Sequence, residues 1–137
     1  MAVVVDASVA MGWLVQSQAT PLTEAAKREI VERPGLVPAH FGLEILRALR
    51  HRERRNVLTA GEVDFGLRRL QALGLRQDDS HVLDLAERIV ALARSQKLRV
   101  SGAAYLELAL RTGHLLATQD VALARAAIAT GARLFTG

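Results

Sequence analysis

Apolar residues fall along the chain in short β-branched runs separated by longer stretches of helical spacing. Residues 2–5 form a run that is apolar at every position and closed by Asp6, the pattern of a strand covered on both faces. Residues 7–14 carry a short helical pattern with Val9, Trp13 and Leu14 on its apolar side. Thr20-Pro21 marks the next helix start, with proline at the first helical position, and predicts a helix to about Arg33. Leu36-Val37 reads as a second strand, and the segment after Pro38 as a long helix through about Arg55 with Phe41, Ile45, Leu46 and Leu49 as its apolar stripe.

Thr59 and Glu62 have capping-box spacing and predict a helix to about Leu73, followed by a short strand over 73–76. Ser80 is positioned to cap a helix reaching Lys97, and Ser101 to cap another over 102–111 that Gly113 terminates. Residues 115–118 form a buried-strand run, Asp120 caps an alanine-rich helix, and residues 133–135 supply a last strand. Short apolar strands alternating with helices predict an α/β sandwich on a parallel sheet. Ligands of such sheets bind beyond the carboxyl ends of the strands, where strand order reverses. Asp6 and Asp120, each directly after a strand, are therefore the first candidates for chemistry. Each is also a sound helix N-cap, and a residue can serve as both.

The length, 137 residues, is that of one domain and excludes a two-domain enzyme. Half the residues are apolar and 23% charged, enough to bury a core. With no cysteine there is no disulfide, thiolate metal site or cysteine nucleophile, so any metal must sit on oxygen or imidazole. The first residues lack a basic region and a long apolar stretch, and no run approaches the roughly 20 residues that span a bilayer, so a cytoplasmic location is expected. The formal charge is +4, and Lys27 and Lys97 are the only lysines. An arginine excess of this kind reflects either an acidic or polyanionic partner or an arginine-rich proteome.

Glu44 lies beside the apolar stripe of the long helix, near His40, Arg47 and His51. Taken alone it reads as a boundary residue paired with a neighbour such as Arg47. Other chemistries that start from a strand-end aspartate lack their further parts. A dehalogenase-like phosphatase needs a second Asp where Ser8 stands, a receiver domain needs paired acids and a late Lys, and no glycine-rich nucleotide loop is present.

Four segments in order, Val-Val-Val-Asp-Ala-Ser-Val-Ala-Met-Gly-Trp-Leu (3–14), Pro-Ala-His-Phe-Gly-Leu-Glu-Ile-Leu-Arg-Ala-Leu (38–49), Ala-Ala-Tyr-Leu-Glu-Leu-Ala (103–109) and Leu-Ala-Thr-Gln-Asp-Val-Ala-Leu-Ala-Arg-Ala-Ala (116–127), resemble the PIN-domain ribonucleases, and among them the VapC-type toxins of toxin–antitoxin modules. The resemblance implies a single PIN-like domain over residues 1–137, a three-layer α/β/α sandwich with a short central parallel sheet. It implies an acidic pocket of Asp6, Glu44 and Asp120 that binds Mg²⁺ or Mn²⁺, with Ser8 and Thr118 as accompanying hydroxyls. It further implies hydrolysis of structured RNA such as transfer RNA, a cognate VapB-like antitoxin as partner, and a homodimer.

The chain departs from the family at two places. Gly102 stands where the family has an acidic residue, and Glu107, five residues on, points elsewhere around the helix. Arg47 stands where an Asn commonly follows the helical Glu, and its guanidinium is expected either to neutralise Glu44 or to hold an RNA phosphate. Arg47, Arg50 and Arg54 form the expected RNA-binding stretch, the alternative being a solvated helix end. Trp13, Leu14 and Phe41 are candidates for an apolar groove that takes a partner helix, or for the core. Two functions follow: a metal-dependent endoribonuclease toxin impaired by the missing acid, or a catalytically inactive PIN-fold protein that binds antitoxin, and RNA, without cutting.

Overall fold

The computed structural model describes residues 1–137. Its elements are β1 (Val3–Val5), α1 (Ala7–Leu14), a 3₁₀ turn (Gln16–Gln18), α2 (Pro21–Glu32), β2 (Gly35–Val37), α3 (Phe41–Arg54), α4 (Ala60–Ala72), β3 (Arg76–Gln77), a second 3₁₀ turn (Val82–Leu85), α5 (Ala86–Gln96), α6 (Val100–Thr112), β4 (Leu115–Ala117), α7 (Val121–Thr130) and β5 (Arg133–Leu134).

The five strands form one parallel sheet in the order β3-β2-β1-β4-β5. The chain builds the sheet outward from β1 to one edge, then returns to pair β4 with the other side of β1, so strand order reverses between β1 and β4. Val3, Val4 and Val5 have no solvent exposure, as the uninterrupted apolar run requires of a central strand with both faces covered. The main helix packing falls into two groups, α1 to α4 and α5 to α7, which with the sheet between them make the three-layer sandwich expected from the sequence.

Both capping boxes form: Thr20 exchanges side-chain and backbone bonds with Thr23, and Thr59 does so with Glu62. The close approach of α1 to α2 requires Gly12, where an added Cβ would stand 2.4 Å from the Cγ2 of buried Thr23. Above that contact, the Trp13 Nε1 donates to the Thr23 carbonyl at 2.7 Å.

Several boundaries differ from expectation. The strand placed over 73–76 is found at Arg76–Gln77, because Gly74 takes a left-handed turn after α4 (φ 65°) and delays the strand. Ser80 caps no helix: its hydroxyl lies 3.5 Å from Asp78, and a 3₁₀ turn intervenes in which His81 Nδ1 accepts the Leu83 N–H. Ser101 is not a cap either, since α6 starts two residues earlier than expected, at Val100, with Arg99 at the cap position. Leu46 is turned half out to solvent while Phe41, Ile45 and Leu49 are buried. Phe41 and Trp13 are core residues. A groove of ≈ 880 Å³ between α1, α2 and α4 is lined by Leu14, Phe65 and an edge of Trp13 and lacks Phe41.

Candidate active site

The reversal of strand order puts Asp6, after β1, beside the segment 118–120, after β4. The Asp6 N–H donates to the Ala117 carbonyl at 3.0 Å, prolonging the strand pairing by one residue. Asp6 is 7% exposed, and its Oδ2 accepts from the Thr118 hydroxyl at 2.6 Å and the Ser8 hydroxyl at 2.8 Å. Thr118 Oγ1 in turn accepts the Asp120 N–H at 2.9 Å, and Ser8 Oγ accepts the Gln119 N–H at 2.9 Å. The Gln119 side-chain amide closes the ring by donating to the Ser8 carbonyl at 3.0 Å. Two hydroxyls and one amide thus lock the β1–α1 turn to the β4–α7 turn.

Asp120 caps α7, its Oδ1 accepting from the N–H groups of Ala122 and Leu123 at 2.9 and 3.2 Å. Glu44 reaches the same place from α3. Its Oε1 accepts the Tyr105 hydroxyl at 2.7 Å, and Tyr105 is fully buried. Arg47 forms no ion pair with Glu44. The neighbour along the helix is instead His40, whose Nε2 lies 3.6 Å from Glu44 Oε1, beyond hydrogen-bonding range, and is buried without a partner. The His40 ring meets Tyr105 edge-on at 5.0 Å.

Asp6, Glu44 and Asp120 line one cavity of ≈ 410 Å³ together with Gly102, Tyr105, Lys97 and Arg99. Burial raises the Asp6 pKa; the hydrogen bonds from Thr118 and Ser8 pull it down, and the negative fields of Glu44 and Asp120 raise it again. The Tyr105 hydroxyl is likewise pushed up, first by burial and then by its bond to Glu44, so it acts as a fixed donor. A Cβ built on Gly102 meets nothing within 4 Å. The position has no carboxylate but has room for one.

The donor set suits a hard divalent cation: three carboxylates, each keeping one oxygen (Asp6 Oδ1, Glu44 Oε2, Asp120 Oδ2) free of protein hydrogen bonds. The acids do not close a ready-made cage, since no three acidic or imidazole groups stand close enough to ligate an ion directly. An ion held here would keep several of its waters, as Mg²⁺ does, with the carboxylates that line the cavity acting in part through them.

The remaining candidates separate. Arg47 lines an adjoining groove of ≈ 830 Å³ with Glu44 and Arg99, whereas Arg50 is tied to Glu53 at 2.7 Å and Arg54 ends α3 away from both cavities. Glu107 is no substitute acid. It lies 3% exposed on another side of α6, held by Arg111 Nε at 2.8 Å. Sequence reasoning placed His40 beside Glu44 but missed Tyr105 as the residue that fixes Glu44 and Gln119 as the tie between the two turns. For Tyr105 and Gln119 a signal existed, since both lie within or beside the segments that carry the resemblance.

No protein-family model matches the chain. It is 35% identical over 124 residues to Ribonuclease VapC3 from two strains of Mycobacterium tuberculosis, the alignment covering 90% of this chain and 86% of the relative. That extent of identity, on a parallel α/β/α sandwich, shows that the chain belongs to the VapC-type PIN-domain ribonucleases.

Proposed function

We propose that the protein is a divalent-metal-dependent endoribonuclease, the toxin of a VapBC-type toxin–antitoxin pair, and that its activity is impaired by glycine at position 102. The observation that carries this reading is the convergence of Asp6, Glu44 and Asp120, from three separate elements, on one cavity at the point where strand order reverses. In this reading the three carboxylates hold Mg²⁺ or Mn²⁺, in part through water. Such an ion, when bound, polarises a phosphoryl oxygen and eases deprotonation of water at neutral pH.

The protein's own residues position and hold. Ser8 and Thr118 fix Asp6, the α7 terminus fixes Asp120, and Tyr105 fixes Glu44. In this reading the attacking group is water, in line with the departing RNA oxygen, and no side chain attacks the phosphorus. Arg47 and the groove it lines lie where RNA phosphates enter, while Arg50 and Arg54 contribute only to the general positive field.

The substrate in this reading is a structured RNA, with transfer RNA the first to test. The partners are a VapB-like antitoxin and a second copy of the chain, with residues 1–137 acting as one PIN-like domain in the cytoplasm. No helix is long and apolar enough to cross a membrane.

A second reading is a PIN-fold protein that binds antitoxin and RNA without cutting. The absent carboxylate at Gly102 and the absence of a closed three-ligand cage favour it. One experiment separates the two. Total RNA is incubated with Mg²⁺, with and without EDTA, beside the Gly102→Asp variant. EDTA-sensitive cleavage by the parent supports the nuclease reading, cleavage by the variant alone supports the binding form, and cleavage by neither overturns the nuclease assignment.

A further inference from the structure

Three helices end in a left-handed residue. Two of them, α6 and α7, use Gly113 and Gly131, the residues for which that conformation is free of steric cost. The third, α5, uses Lys97 at φ 55°, ψ 46°. Asn56 is the one other non-glycine residue with positive φ, and asparagine tolerates it. A lysine in this conformation is disfavoured, and strained backbone of this kind concentrates at functional sites.

What distinguishes Lys97 is its position. Lys97 and Arg99, on the short turn between α5 and α6, are the two cationic residues that line the cavity of Asp6, Glu44 and Asp120. Neither forms an ion pair with any of these acids or with any other residue; most of the chain's cations are unpaired too, and what sets these two apart is the acidic cavity they line. Arg99 also lines the adjoining groove, as Arg47 does, so one guanidinium borders both spaces. Two free cations at the rim of an acidic cavity do not neutralise it. They stand ready for an anion brought to it.

We propose that Lys97 and Arg99 form a phosphate-holding subsite that positions the RNA backbone across the acidic cavity, and that the left-handed turn at Lys97 is retained because it aims that side chain. This inference rests on the ribonuclease reading. Both are positioning residues, and Arg99, with its planar fork, grips two phosphate oxygens while Lys97 supplies a point charge.

The test is binding in EDTA, where cleavage plays no part, of a labelled RNA hairpin to the parent, Lys97→Gly, Arg99→Gln and the remote control Arg133→Gln, across a salt series. Each of the first two substitutions is expected to weaken binding roughly fivefold near 0.1 M salt and to lower the slope of log affinity against log salt by about 0.7 to 0.9, the signature of one lost phosphate contact. Arg133→Gln is expected to match the parent. Lys97→Gly is further expected to melt at or above the parent's temperature, because glycine relieves the turn, so weaker binding cannot be ascribed to a damaged fold. Affinity and slope unchanged in Lys97→Gly and Arg99→Gln, with the parent binding, overturn the subsite and leave the ribonuclease reading intact. A parent that binds no RNA in EDTA also overturns the subsite, while the ribonuclease reading stands or falls on the cleavage assay with Mg²⁺.

Discussion

The buried hydroxyl of Tyr105 on α6 donates a 2.7 Å hydrogen bond to Oε1 of Glu44 on α3, linking residues 61 apart in sequence across the wall of the acidic cavity. This bond decides which way the Glu44 carboxylate faces. It joins the two helix groups at the site and leaves Oε2, the other carboxylate oxygen, free of protein hydrogen bonds.

Tyr105→Phe keeps the ring against His40 and removes only the donor. A hydrogen bond to a charged acceptor contributes roughly 1.5–3 kcal/mol, and the partial exposure of Glu44 places this one at about 1.5 kcal/mol. Urea unfolding is expected to report that loss. Divalent-cation affinity is expected to fall about tenfold, the effect of freeing a ligand from its supporting bond. Equal cation affinity in the two proteins contradicts the role given to Tyr105.

Burial holds the Asp6 carboxyl above its ordinary value of 3.8, so the folded protein keeps this proton to higher pH than the unfolded chain does. The stability contributed by Asp6 is therefore fully present below that ordinary value and is lost as pH rises through the raised one. In EDTA, Asp6→Asn removes this dependence. Its melting temperature is expected to fall less than the parent's between about pH 4 and pH 7 and to exceed the parent's at the upper end, at the cost of cation binding. Parallel profiles contradict the assignment.

How much of this was legible in the sequence follows from the range of the interactions. The strand runs other than β3, both capping boxes, the glycine at the end of α6 and Asp120 as a cap are local, set by residues within one turn of each other, and each lies within a residue or so of where the pattern put it. Ser80 and Ser101 failed as caps because serine at the right spacing does not fix where the preceding chain turns, and His81 and the extended backbone of Arg99 took those places. Asp6 and Asp120 were legible as strand-end acids. Glu44 was visible only through the family resemblance, because its partner is a tyrosine on a distant helix, and a contact between distant helices leaves no periodicity in either segment.

A separate polar cluster gives an independent check on the fold around α6. Glu107, 3% exposed, depends on Arg111, which also bonds Asp78 at 2.8 Å, and these bonds raise the Arg111 pKa further. Arg111→Leu removes both hydrogen bonds to the buried carboxylate and leaves it only the exposed Arg88 guanidinium at 3.7 Å, and is expected to cost about 3 kcal/mol by denaturant unfolding. The double substitution Arg111→Leu with Glu107→Leu is expected to recover most of that loss. A double variant no more stable than the single one contradicts the view that Glu107 is a structural acid.

The account turns on three carboxylates acting on one ion, and Mn²⁺ titration followed by electron paramagnetic resonance tests that most directly. One ion per chain is expected in the parent, lost or much weakened in Asp6→Asn, Glu44→Gln and Asp120→Asn alike, and bound more tightly by Gly102→Asp, whose new side chain enters open space beside the cavity. Binding indifferent to all four substitutions, or no binding at millimolar Mn²⁺ in any of the proteins, contradicts it.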